Sequence, residues 1–369
     1  MPPATRSSSR IRSLDGLRGV AAFAVLLHHV SLVARPEIDK EAWAWITQSP
    51  LKLLFPGTES VLIFFVLSGL AVALPALRPG FSWVSYYPAR MVRLYLPVLG
   101  ALLLAALFIV LLPRDPSTMP DGSWMRNAQA TTVTPGTLLS EASLTQRSYD
   151  IDNVLWSLRW EVIFSLLLPL FVWVALRVTR HPFVLGGLCI AATVLGRVLS
   201  VDVLVYIPLF LIGSIMATHI DELRALRLPR WAPPALALLA AGLLIASWLS
   251  RPLPLGRFGQ DVLWGLAGAG AALIVVLAIA WPRFVRVLET RPAQWLGQLS
   301  FSLYLVHVPI LATLVYLCGS SRWWLASLIA IPVSIVVAEL FRRAVEAPSH
   351  KLARALGSKA TGLPLLSGR

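Results

Sequence analysis

Residues 94–113 read LYLPVLGALLLAALFIVLLP, twenty consecutive positions with no charged side chain. At about 1.5 Å of rise per residue, such a helix matches the roughly 30 Å hydrocarbon core of a bilayer. Working outward, comparable apolar stretches lie at 17–34, 60–77, 158–176, 183–199, 201–217, 232–250, 262–281, 297–317 and 323–341. The sequence therefore predicts an all-α polytopic transmembrane helix bundle of about ten spans, with an abrupt turn near Arg197 to Asp202 between the fifth and sixth. Composition points the same way. The 369-residue chain is 57% hydrophobic and 14% charged, with a mean hydropathy of +0.73, whereas a soluble domain is about a quarter charged.

The formal net charge of +14 does not imply nucleic acid as a partner, because the basic residues stand between apolar runs rather than on one solvated face. Their distribution orients the chain instead. The loops on the side of the N-terminus hold 21 of the 32 Lys and Arg residues, and the opposite loops hold 11. By the positive-inside rule both termini are then cytoplasmic. The expected organisation is a basic tail at 1–12, a transmembrane domain at 13–346 and a basic tail at 347–369. The one long outer loop, 114–155, is polar and carries Trp124. Arg-rich residues 6–12 followed by an apolar run resemble a secretory signal, but the adjacent His28 and His29 do not suit its apolar region. Cys189 and Cys318 lie inside apolar runs and read as small buried side chains rather than a disulfide or metal pair. No metal is expected. With no soluble domain after Arg342, the membrane part is expected to carry the chemistry. Richness in Ala, Arg and Pro suits a high-GC bacterium, which makes a bacterial plasma (inner) membrane the expected location.

An ionisable side chain inside a bilayer is costly, faces the bundle interior and is a functional candidate by default. Arg18 and His29 share the first span, eleven residues apart, so the imidazole lies roughly 16 Å deeper than the guanidinium. His307 reaches a comparable depth in the ninth span. Glu161 enters from the outer face just after Trp156-Ser157-Leu158. A carboxylate there could fix the tautomer of His29, leaving its second nitrogen to take a proton from a hydroxyl. Ser302 and Tyr304 read either as interhelical hydrogen bonds or as the lining of a polar path. His307 is equally compatible with a structural and a functional role, and His28, about 100° around the helix from His29, reads as structural. Arg90 and Arg93, three apart at the cytosolic entry to the third span, suit a phosphate or a lipid headgroup. Glu339 is expected to pair with Arg342 or Arg343, and Glu346 follows on the same segment.

Six of these blocks, in order from about residue 12 to 350, together resemble the acyltransferase-3 family of integral membrane O-acyltransferases. The first is Leu14-Asp15-Gly16-Leu17-Arg18-Gly19 followed by His29, similar to the family's Arg-ten-His signature. Phe64-Phe65-Val66-Leu67-Ser68-Gly69 is similar to its second-helix motif, and Arg90 with Arg93 to its paired arginines. Trp156-Ser157-Leu158 with Glu161 and Phe164 resembles the Trp-Ser-Leu block. Leu296-Gly297, Ser300 and Ser302-Leu303-Tyr304-Leu305 with His307 and Pro309 resemble the late-helix block, and Glu346 with Pro348 the C-terminal Glu-x-Pro. The chain departs from the pattern at Ser60-Val61-Leu62, where the family has Gly-Val-Asp. It also departs at Val162, where a second acid is common, at Ser165, where Tyr is usual, and at Val306 and Val308, where aromatics stand.

The resemblance implies an acyl-CoA co-substrate, most often acetyl-CoA, with Arg18, Arg90 and Arg93 holding its phosphates. It implies His29 as base or transient acyl carrier, Glu161 as its orienting acid, and Trp156, Ser157, Ser302, Tyr304 and His307 around the substrate. The implied acceptor is a carbohydrate hydroxyl on a surface polysaccharide or its lipid-linked precursor, or a small glycoside such as a macrolide sugar. A proton-coupled transporter relaying through His29, Glu161 and His307 is the rival from another class. It would bring inverted repeats and paired broken helices, and no internal repeat is present. A non-catalytic scaffold would need no histidines at depth.

Overall fold

The computed structural model describes residues 11–146 and 148–360; both extreme tails and Arg147 lie outside them. The bundle is built from α1 Arg12–Ala34, α2 Gly57–Ala76, α3 Trp83–Leu111, α4 Leu155–Leu166, α5 Leu168–Arg177, α6 Pro182–Leu199, α7 Asp202–Thr218, α8 Ala232–Leu249, α9 Gly256–Ala280, α10 Arg291–Cys318, α11 Trp323–Phe341 and α12 Ala347–Ala360. Among the described residues there is no strand, and eight helices are long and apolar enough to cross a membrane. The pair α4 and α5 would add one more, and α7 is a shorter apolar helix. Each expected stretch thus falls on a helix or a helix pair, and the chain is a multi-pass membrane protein. The abrupt turn after α6 is made by Ser200, which adopts a left-handed conformation at φ 58°.

Two boundaries differ from the sequence reading. The fourth stretch is not one straight helix but two, meeting at 65°. Pro169 causes the break, because its ring lacks an N–H and crowds the carbonyl four residues earlier, that of Ser165. The freed carbonyls of Ser165 and Leu166 accept the hydroxyls of Tyr86 and Tyr87, each at 3.1 Å. The second difference lies in the expected C-terminal tail, of which Ala347–Ala360 is a helix. It packs on α3, where Ser85 Oγ donates to the Gly357 carbonyl at 2.8 Å.

In lipid the helices gain little from burying apolar surface against one another, so close backbone approach decides which of them pair. Glycines make two close crossings. Between α1 and α10, a Cβ on Gly297 would sit 2.4 Å from the Asp15 carbonyl oxygen, and one on Gly19 2.3 Å from the Gly297 nitrogen. Between α2 and α7, a Cβ on Gly69 would meet the Phe210 carbonyl at 2.1 Å and one on Gly213 the Val66 carbonyl at 2.1 Å. Around the second crossing Phe65, Phe164, Phe171 and Phe210 form an aromatic core, with Phe164 stacked on Phe210 at 4.5 Å between centroids.

Gly297→Ala should lower the stability of the folded bundle by roughly 1–3 kcal/mol, the usual cost of overpacking. Thermal unfolding in detergent checks it, with Gly186→Ala, which meets nothing within 4 Å, as the neutral control.

Candidate active site

A cavity of about 760 Å³ opens at the end of the bundle where α1, α3 and α10 begin. Arg18, Arg78, Arg90, Arg93 and Arg342 line it, so basic segments more than three hundred residues apart in sequence converge on one space. Arg18, Arg90 and Arg93 therefore stand together, as a phosphate-bearing ligand requires. Arg18 is also held by Asp15 at 3.5 Å.

Glu161 lines this cavity too, but it does not meet His29. Its carboxylate forms a salt bridge with Arg90 and accepts the Ser68 hydroxyl at 2.5 Å. The expected Glu161–His29 hydrogen bond is corrected here: one guanidinium at the cavity wall takes the charge, and the imidazole finds another partner. Ser165 completes the arrangement, its Oγ accepting from Arg90 Nε at 2.9 Å while donating to the Glu161 carbonyl at 2.7 Å. The hydroxyl at position 165 thus helps to fix the arginine. Val162, at the site of the missing second acid, is packed into the apolar core.

His29 and His307 instead meet each other. Their ring centroids are 4.9 Å apart, and His307 Nε2 lies 3.1 Å from His29 Nδ1. Carbonyl oxygens only accept, and this settles the tautomers. His307 Nδ1 faces the Leu303 carbonyl at 2.9 Å and His29 Nδ1 faces that of Val25 at 2.9 Å, so both Nδ1 atoms carry hydrogen. His307 Nε2 then shares the His29 Nδ1–H with the Val25 carbonyl, and the lone pair of His29 Nε2 is left to act as a base. A neutral imidazole thus does what a carboxylate was expected to do. His307 is fully buried, whereas His29 keeps 8% exposure, so only the latter reaches an open surface. Trp124, from the long loop 114–155, lies against His29 at 5.2 Å, and His28 at 5.4 Å.

Phe64 and Tyr304 form the wall between the cavity and the imidazoles. Their rings are 5.8 Å apart, and Tyr304 stands 6.1 Å from His307. The Tyr304 hydroxyl lies 2.8 Å from that of Ser157, which also lines the cavity. Ser302 is fully buried and donates to Glu346 at 2.5 Å, so it fixes that acid instead of facing the cavity. Trp156 packs on Tyr206 at 5.4 Å as part of the core. Glu339 binds both Arg342 and Arg343. The sequence reading gave no role to Ser68, Ser165 and Trp124. Ser68 carried a signal as a member of the second-helix motif, and Ser165 as a departure from the family pattern.

The chain matches the family described as "Acyltransferase domain" over residues 11–343. It belongs to that acyltransferase family. The acyltransferase is 26% identical over 375 residues to the O-acetyltransferase PaAT-1 of Phomopsis amygdali, a match spanning 83% of this chain and 73% of that protein. No solved structure matches it. Family and relative together make the chain an O-acyltransferase. Among the described residues, no group of three or more His, Cys, Asp or Glu side chains is placed to hold a metal.

Arg90→Met would strand the Glu161 carboxylate and should cost the acyltransferase roughly 3 kcal/mol, as breaking a partly buried pair does. Arg90→Met combined with Glu161→Leu should regain most of that loss in thermal unfolding.

Proposed function

We propose that this enzyme transfers an acyl group, acetyl in the simplest case, from acyl-CoA to a hydroxyl of a surface polysaccharide or its lipid-linked precursor at a bacterial plasma membrane. The observation that carries this reading is the imidazole pair, whose hydrogen bonds leave a single basic lone pair, on His29 Nε2. The arginine-lined cavity supports an anionic donor, and a relative named as an O-acetyltransferase supports acetyl. Trp124 gives a carbohydrate acceptor an aromatic face beside the base.

The donor phosphates lie against Arg18, Arg90 and Arg93, with Glu161 holding Arg90 in place rather than acting on the reacting atoms. The thioester points inward, towards Tyr304. His29 Nε2 takes the proton of the acceptor hydroxyl as its oxygen bonds to the thioester carbonyl carbon. Positive charge on His29 is met by the His307 lone pair, and negative charge on the carbonyl oxygen by the Ser157 and Tyr304 hydroxyls. The carbon–sulfur bond then breaks, and the proton passes from His29 to the leaving thiolate. Phe64 and Tyr304 keep water away from the base until both substrates are in place.

Purified enzyme given labelled acetyl-CoA and a glycan or glycoside acceptor should release free thiol and form labelled ester. His29→Gln should lower this by roughly 10²–10⁴-fold, the usual contribution of a general base. Retention of full transfer by His29→Gln in folded protein would sink the mechanism. Phe64→Ala should raise thiol release in the absence of acceptor, by opening the base to water from the cavity.

A further inference from the structure

Behind the Ser157–Tyr304 wall lies an acid that the mechanism so far does not use. Asp152 is fully buried, and neither of its carboxyl oxygens has a hydrogen-bond partner. Leaving a buried polar group unpartnered costs roughly 1–3 kcal/mol, so its presence needs a reason. The Glu141 carboxyl beside it is treated differently by the same loop. It accepts the backbone N–H groups of Asp150 and Ile151, each at 2.8 Å, and of Asp152 at 3.2 Å. Two neighbouring buried carboxyls cannot both be charged. The one that receives three N–H groups keeps the charge, and Asp152 keeps the proton. Burial first, then the charge of Glu141, hold the Asp152 carboxyl well above the usual carboxylate range, against only a weak pull from the Val154 amide.

The loop that carries Asp152 also reaches the Tyr304 hydroxyl, through Val154 two residues on. That hydroxyl donates to the Val154 carbonyl at 3.3 Å, and Ser157 Oγ donates to the same carbonyl at 3.2 Å. Two hydroxyls therefore share one acceptor, two residues along the chain from the unpartnered Asp152 carboxyl. A surplus of donors beside a substrate cavity is what a site waiting for negative charge contains.

Resting on the acyl-transfer mechanism above, we propose that Asp152 is a positioning residue for the oxyanion, the neutral end of a hydrogen-bond chain in which Asp152 donates to Tyr304, Tyr304 to Ser157, and Ser157 into the cavity. The chain forms when Tyr304 and Ser157 leave the Val154 carbonyl for the developing charge. No proton need cross completely: the carboxylic acid strengthens the donation of Ser157 by polarising Tyr304. The active form has Asp152 protonated, so activity falls as pH rises through its raised value.

Three variants, measured for kcat, KM, pH profile and thermal unfolding, test this. Asp152→Asn can still donate but cannot titrate; its kcat near neutral pH should stay within about threefold of the parent while the alkaline fall disappears. Asp152→Leu should lose about tenfold or more in kcat, with KM for acetyl-CoA within about twofold and a melting temperature no lower than the parent's, since it removes an unpartnered polar group. His29→Gln should be inactive throughout. An unchanged alkaline limb in Asp152→Asn overturns the role, and so does an Asp152→Leu enzyme that keeps its kcat or loses it only in step with its stability. An active His29→Gln would instead remove the mechanism on which the role depends, so the two failures are distinct.

Discussion

The contact between α1 and α10 is the constraint on which the site depends. Gly19 and Gly297 let the two backbones approach more closely than any side chain would allow. At that separation the histidines ten residues further along each helix, about three turns, must share space. The hydrogen bond from His29 to His307 is therefore a consequence of absent Cβ atoms more than two turns away. Each ring is also tied to the carbonyl four residues before it in its own helix. The pair is thus set by backbone geometry, and no flexible side chain has to find it.

Charge is handled differently at the two depths. In the cavity, five arginines stand with Asp15, Glu161 and Glu346, and neighbouring hydroxyls hold the two glutamates in place: Ser68 for the first and Ser302 for the second. Among the described residues no charged side chain hydrogen-bonds His29 or His307, whose ring nitrogens meet backbone carbonyls and each other. A permanent carboxylate beside His29 would make it a stronger base but would also stand near the oxyanion it helps to create. A neutral His307 supports the imidazolium without that penalty.

Much of the fold was legible in the sequence because lipid reads hydrophobicity and length so directly. All ten apolar stretches correspond to helices, and the turn after α6 falls at Ser200. The bend at Pro169 was also written in the chain, but a proline in an apolar run is common in membrane helices and does not declare how sharply it will bend. The site was legible as a set of residues and not as a set of contacts. Glu161 was assigned to His29 because both are ionisable and lie deep, yet depth along an axis says nothing about which way a side chain turns around it. Arg90, a helix away, competes better for a carboxylate than a neutral ring does. Asp152 carried no signal at all: in Tyr149-Asp150-Ile151-Asp152-Asn153 two acids alternate along a loop as solvated residues would, and only the fold buries the second.

The break between α4 and α5 has a mechanical meaning. Its freed carbonyls are held by tyrosines of α3, so α4 is tied to the helix that carries Arg90 while α5 is joined to it by a single residue. Leu170, Trp173 and Leu176 of α5 face outward, where a change in bilayer thickness would press first. A rigid span would carry that load straight to Glu161. The 65° bend interrupts that straight line, and the two tyrosine hydrogen bonds fix α4 against α3 at the point where it breaks.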